Sequence, residues 1–167
     1  MPILESIPEY FKPYVKRVQS ENANTALEEQ LNEMAAIYQT MSPEKADSRY
    51  AEGKWSPKQI VQHIIDTERI LSQRALRFSR RDMTQLPGFD HELYVESANV
   101  NHRIIENLWD EFMAVRVSTK LLYLSFGEKE LSREGFANGM VLSVENLAYI
   151  MAGHALHHTE IIKERYL

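Results

Sequence analysis

Four long segments of the chain place apolar residues three or four positions apart, which is the spacing of one face of an α-helix. They cover roughly residues 22–41, 56–81, 98–126 and 143–165. The second opens with WSPKQ, in which Ser56 can cap a helix, Pro57 suits the first helical position and Gln59 completes a capping box. Ser143 or a neighbour starts the last segment. Four amphipathic helices predict an all-α fold, a four-helix bundle.

The connections between these segments, about 14 to 17 residues each, are longer than a simple up-down bundle needs. We expect these long loops to cover one end of a site. Asp90 is placed to cap a short turn over residues 91–97. Residues 132–140 contain two glycines and favour a loop, with a strand at 135–142 as the weaker alternative. No repeat or linker divides the sequence, so residues 1–167 are expected to form a single domain.

Charge and composition exclude several classes of function. The chain has 19 Lys and Arg against 24 Asp and Glu, a net charge of −5, which argues against nucleic-acid or anionic-membrane partners. It contains no cysteine, so it has no disulfide, no thiolate metal site and no cysteine nucleophile. No apolar run is long enough to span a membrane and no signal peptide is recognisable, so a cytoplasmic location is expected.

The last segment contains GHALHHTEII, which holds three of the six histidines of the chain. His154 and His158 are one helical turn apart in the middle of the apolar face, whereas His157 falls on its edge. Two histidines at i and i+4 can offer their imidazoles to one metal ion. His63 lies on the apolar face of the second segment. These three histidines predict a metal site with open coordination positions, as catalytic sites have.

Each of these residues also has a purely structural interpretation. One histidine on an apolar face is more often a packed core residue, but a buried pair of imidazoles needs partners. His157, His91 and His102 are expected at the surface or the rim. The motifs H-E-x-x-H, E-x-x-H, G-x-S-x-G and the P-loop are absent, which argues against zincins, di-iron bundles, serine hydrolases and nucleotide binding.

Two charged residues accompany His63 on the second segment. Asp66 is placed to accept a hydrogen bond from an imidazole or to act as a base. Arg74 points inward on the same face as His63 and therefore needs an anion. That anion would be either a substrate carboxylate or a buried glutamate, and the sequence does not choose between them.

Three stretches, GKWSPKQIVQHIIDTERILSQRALRFSRRD, LPGFDHELYV and GHALHHTEIIKERY, resemble the DinB/YfiT-like superfamily. The resemblance covers most of the chain from about residue 22 onward. It implies a four-helix bundle in which His63, His154 and His158 hold a divalent metal ion. It also implies a homodimer. The superfamily includes bacillithiol S-transferases, mycothiol-dependent enzymes and metal-dependent hydrolases, in which the metal activates a thiol or a water.

The first functional hypothesis is a metal-dependent S-transferase that joins a low-molecular-weight thiol to a small electrophile. The alternatives are a metal-dependent hydrolase and a non-catalytic bundle that binds a metal or a ligand. Three imidazoles suit zinc or nickel best, with iron, copper and manganese also open. The expected partner is a small-molecule substrate.

Overall fold

The computed structural model describes residues 4–29 and 31–167. Helices account for most of this part of the chain, and its two strands form a small hairpin. The helices are α1 Lys12–Val15, α2 Ala23–Glu29, α3 Leu31–Gln39, α4 Pro43–Asp47, α5 Pro57–Ser79, α6 His91–Ser97, α7 Ile105–Leu124, α8 Glu128–Leu131 and α9 Val144–Tyr166. The strands are β1 Glu134–Ala137 and β2 Met140–Ser143, and 3-10 turns cover Leu4–Ser6, Glu9–Phe11 and Val100–His102. No described helix is long and apolar enough to cross a membrane.

The predicted four-helix bundle is confirmed, with α5, α7, α9 and the pair α2 and α3 as its members. The helix starts follow the predicted caps. The Ser56 hydroxyl accepts from the Gln59 backbone N–H, and the Gln59 side chain accepts from the Ser56 N–H. The side chains of Ser143 and Asp90 cap α9 and α6 by accepting from the backbone N–H three residues later. Residue 30, inside the first predicted segment, lies outside the described residues.

The third predicted segment is too long at its beginning. Asn99 has a left-handed φ of 44°, and a 3-10 turn follows it, so α7 begins at Ile105 instead of near residue 98. Ile104, which falls inside the predicted segment, precedes the helix and is 58% exposed. The apolar spacing continues across this turn, and spacing alone gives no information about the φ angle of one residue. The beginning of α7 could therefore not be predicted from it.

The region 132–140, expected as a loop, contains most of an antiparallel hairpin, so the weaker strand alternative is correct. β1 and β2 pair from Glu134 with Ser143 to Ala137 with Met140. Asn138 and Gly139 turn the chain with φ values of 51° and 76°, as an Asn-Gly hairpin turn requires. The backbone of Leu86 bonds to Phe136 and Asn138, which fixes the loop after α5 against the hairpin.

The described residues form two buried apolar clusters inside the bundle. The first half of α5 packs in one cluster with the end of α9, and the second half of α5 packs in the other with the beginning of α9. These two helices therefore run antiparallel. On α9 the change from one cluster to the other falls between Ala152 and Ala155. His154 thus lies at the junction of the two clusters.

A buried ion pair joins α5 to α7. The guanidinium of Arg116 donates to both carboxylate oxygens of Glu68 at 2.8 to 3.0 Å and to the Leu27 carbonyl at 2.9 Å. Both charged side chains are almost fully buried. Each charge is satisfied by the other, and the pair links three members of the bundle.

Candidate metal centre

The imidazoles of three histidines converge between α5 and α9. His63 lies in the second turn of α5, and His154 and His158 are one turn apart in the middle of α9. Because the two helices are antiparallel, the early part of α5 faces the later part of α9. One nitrogen from each ring lies within 4.8 Å of one nitrogen from each of the others. The structure therefore brings together the three residues predicted as metal ligands.

Hydrogen bonding between the rings can explain only one of the two short contacts that His154 Nε2 makes. His154 Nε2 lies 2.9 Å from His63 Nε2 and 3.1 Å from His158 Nε2. A ring nitrogen of a neutral imidazole carries either one hydrogen or one lone pair, so it can make one of these bonds but not both. Three nitrogens at zinc-like distances around one ion would be about 3.3 Å apart. The donor set therefore fits a divalent metal ion.

Burial keeps these imidazoles neutral. All three side chains are at most 9% exposed. Burial, followed by the nearby charge of His91, lowers the pKa of His63 to about 4. Burial is also the main reason that the pKa values of His154 and His158 lie well below the ordinary value. Neutral imidazole is the form that binds metals, so at neutral pH no ligand has to lose a proton first.

A cavity of about 370 Å³ opens beside the three histidines. It falls in the lower part of the range typical of small-molecule sites, roughly 300–1,000 Å³. The Trp55 indole packs against the His63 ring, with centroids 4.9 Å apart, and stacks at 6.4 Å from the His158 ring. Trp55 Nε1 donates to Glu92, and the Trp55 carbonyl accepts from the Tyr166 hydroxyl. These contacts hold the indole in place beside the histidines.

One wall of the cavity comes from the N-terminal segment, which the sequence analysis did not assign to the site. Tyr10, Phe11 and Tyr14 line the cavity. The Tyr14 ring contacts the His154 ring edge-on at 5.5 Å. This segment can lie so close because Gly153 has no side chain: a Cβ there would lie 2.2 Å from the Tyr14 carbonyl oxygen. The spacing of aromatic residues at 10, 11 and 14 was the available signal.

Asp66 does not have the position predicted for it. Its carboxylate accepts a hydrogen bond from Gln62 at 3.0 Å and faces a different cavity, one that Arg103 also lines. Within the described part of the chain, no hydrogen bond joins it to an imidazole. Burial raises its pKa. Asp66 lies on the flank of α5 that faces α6 and Arg103.

Among the described residues, no hydrogen-bond partner orients His158 through its second ring nitrogen. Its Nδ1 atom is buried and makes no hydrogen bond to any of them. Metal-binding histidines usually donate this second ring N–H to a carboxylate or a carbonyl. Packing against Trp55 and His157 is what positions this ring.

The other histidines lie where they were expected. His157 is half-buried beside the Tyr14 ring and is not part of the cluster of three. His91 is exposed at the rim of the cavity, with its ring 5.7 Å from the His63 ring. His102 is exposed and lines the same separate cavity as Asp66.

Arg74 is buried and lines the cavity of the three histidines. The glutamate alternative for it is wrong, since the buried carboxylate of Glu68 pairs with Arg116. Arg74 Nη2 donates to the Pro87 carbonyl at 2.8 Å. No carboxylate among the described residues lies within ion-pair distance of it. Burial lowers its pKa, although an arginine remains charged at neutral pH.

The family model of the DinB superfamily matches residues 26–162, a range that includes all three histidines. The chain belongs to the DinB superfamily. Among solved structures, it is similar to YfiT from Bacillus subtilis, described as "a probable metal-dependent hydrolase with an unusual four-helix bundle topology". The TM-score is 0.74 at 17% identity, over 98% of this chain and 90% of YfiT, which shows a shared fold. No curated protein is significantly similar to this DinB superfamily member in sequence.

Proposed function

We propose that this DinB superfamily protein is a metal-dependent enzyme whose divalent ion is held by His63, His154 and His158. The observation that carries the proposal is the position of His154 Nε2, within 3.1 Å of both other ligand nitrogens. Zinc and nickel suit three neutral imidazoles best, with iron, copper and manganese as further candidates. An ion held there would lower the pKa of a coordinated thiol or water.

The first candidate reaction is transfer of a low-molecular-weight thiol to a small electrophile. Among the described residues, no aspartate or glutamate lines the cavity. A thiol that coordinates a metal loses its proton without a protein base. The aromatic side chains around the cavity would give a small electrophile apolar contacts. The chain itself has no cysteine, so the sulfur has to come from a cosubstrate.

Hydrolysis is the second candidate, and the description of YfiT as a probable metal-dependent hydrolase favours it. For this reaction the candidate proton donor is His91, which is exposed at the rim and close to the His63 ring. It would have to supply the proton for the leaving group. A non-catalytic binding bundle is the remaining alternative, and it predicts metal binding without turnover of either substrate class.

Elemental analysis of the purified protein tests the metal centre. The wild type should carry about one divalent ion per chain, and His154→Ala and His158→Ala should lose it. His157→Ala is the matched control, because it makes the same change next to His158 on the same helix, and it should keep the ion. The proposal fails if the wild type binds no divalent ion. It also fails if the His157 variant loses metal as completely as the others.

The metal-loaded protein then separates the reactions. Bacillithiol, mycothiol or glutathione is incubated with monochlorobimane, and ester hydrolysis is followed with p-nitrophenyl acetate. Metal-dependent conjugation with one thiol supports the transferase. Ester turnover alone supports the hydrolase. We also propose a homodimer and a cytoplasmic location, which light scattering and cell fractionation can check.

A further inference from the structure

We propose that Arg74 and Thr67 form a carboxylate-binding subsite in the cavity of the three histidines, so that the substrate is a small organic carboxylate with an apolar body. This inference deepens the proposed function, since it names the substrate class of the same site. It depends on the groups that line the cavity away from the histidines.

Arg74 has more hydrogen-bond donors than the protein uses. Its guanidinium carries five N–H donors, and one bond, to the Pro87 carbonyl, is formed within the described structure. The Nε and Nη1 groups have no partner there. Arg74 is nonetheless 5% exposed, so bulk water has little access to it. A buried cation with free donors beside a cavity is the arrangement that binds an anion.

Thr67 provides a second unpartnered donor in the same cavity. Its hydroxyl is buried and makes no hydrogen bond within the described part of the chain, although the side chain lines the cavity. A helical threonine usually bonds to the carbonyl one turn earlier, as Thr119 and Thr159 do. The Thr67 hydroxyl is therefore available to a ligand.

These two residues follow His63 on one face of α5. Thr67 is one turn after His63, and Arg74 is three turns after it, which places the Arg74 Cα roughly 16 Å from the His63 Cα. Helical side chains lean toward the N-terminus, so that of Arg74 leans toward the histidines. A molecule in the cavity can thus have its reacting group near the three histidines and its anionic group at Arg74.

The composition of the cavity favours a carboxylate over a phosphate group. Arg74 is the one permanent cation among the described lining residues, which matches a single negative charge. The planar guanidinium also matches the two oxygens of a carboxylate. Five aromatic residues surround the remaining space and would contact an apolar body: Tyr10, Phe11, Tyr14, Trp55 and Phe89.

The loop that contains Pro87 does not need Arg74 to hold it in place, so this role does not explain why Arg74 is buried. This loop is already held by two backbone hydrogen bonds, from Leu86 N–H to Phe136 and from Asn138 N–H to Leu86. The Arg74 bond to Pro87 instead fixes the guanidinium in position. A substitution at Arg74 should therefore leave the loop and the fold in place.

Calorimetric titration of metal-free protein with phenylacetate tests the subsite. The metal is removed with a chelator so that the carboxylate cannot bind to the ion. We expect phenylacetate to bind at least about 10-fold more tightly than the neutral phenylacetamide. Arg74→Gln should weaken phenylacetate binding by about 10- to 100-fold, and Thr67→Val by about 2- to 10-fold. Arg77→Gln, the same change at a half-buried position where the side chain pairs with Asp82, should have no effect.

Several outcomes would overturn the inference. They are the absence of phenylacetate binding, equal binding of acid and amide, tighter binding of phenylphosphonate than of phenylacetate, or unchanged binding in Arg74→Gln. Thermal unfolding checks that Arg74→Gln is folded, and Thr67→Val gives a second test if it is not. Metal content is measured separately. A wild type that binds phenylacetate but no metal would refute the proposed function and leave the subsite standing.

Discussion

His63 should make the stability of the metal-free protein depend on pH below about 6.5. Its pKa is about 4 in the folded protein, because of burial, against an ordinary value of 6.5. Between these two values the unfolded chain binds more protons than the folded chain. The contribution of neutral His63 is therefore fully present above pH 6.5 and is lost as the pH falls toward 4.

The size of the effect follows from these two pKa values. At pH 5, His63 is protonated in the unfolded chain and mostly neutral in the folded one. This difference lowers the free energy of unfolding by about 2 kcal/mol. His154 and His158 have pKa values shifted in the same direction, so they add to the loss. His63→Asn removes the first contribution and relaxes the repulsion on the other two rings. On acidification to pH 5, the free energy of unfolding of the variant should therefore fall by at least about 2 kcal/mol less than that of the wild type.

Urea unfolding followed by circular dichroism, with a chelator present, measures this difference at pH 7.5 and at about pH 5. His102→Asn is the matched control, because it makes the same change at an exposed histidine and should behave like the wild type. Titrating groups other than His63, His102, His154 and His158 are common to all three proteins, so they cancel in the comparison. If the wild type and His63→Asn lose equal stability, His63 is not buried as a neutral imidazole and the reasoning fails.

Two further substitutions test the packing that positions the site. Glu68→Gln leaves the charge of Arg116 buried and unpaired, so it should lower the free energy of unfolding by about 3–5 kcal/mol. The control Glu28→Gln removes an exposed ion pair and should cost less than about 1 kcal/mol. Equal losses in chemical denaturation would contradict this expectation. Gly153→Ala would normally stabilise a helix by about 1 kcal/mol, but contact with the Tyr14 carbonyl should reverse the sign and expose the N-terminal segment to limited proteolysis. Unchanged stability and proteolysis would show that the contact is not close.

The helices and the three histidines were predictable because they depend on local rules. The capping residues define where α5 and α9 begin, and the 3.6-residue period defines which side chains face inward. His63, His154 and His158 all lie on those inward faces. The meeting of two such faces in a bundle was then enough to bring the three rings together.

The remaining features depend on tertiary contacts, which the helical periodicity of the apolar residues does not predict. Asp66 lies on the flank of its helix. A helical wheel does not show which neighbouring helix this flank will contact. Arg74 was correctly placed inward, but the buried glutamate of the same helix, Glu68, pairs with Arg116 instead. The start of α7 depends on the left-handed φ of Asn99. The contact of Tyr14 depends on a glycine about 140 residues later in the chain.

The N-terminal wall of the cavity has a consequence for comparisons within the DinB superfamily. The match to the family model begins at residue 26, whereas Tyr10, Phe11 and Tyr14 precede it. The three histidines thus lie inside the range that the family model matches, and three of the aromatic side chains that line the cavity lie outside it. An alignment limited to residues 26–162 would therefore compare the histidines and leave out part of the cavity wall.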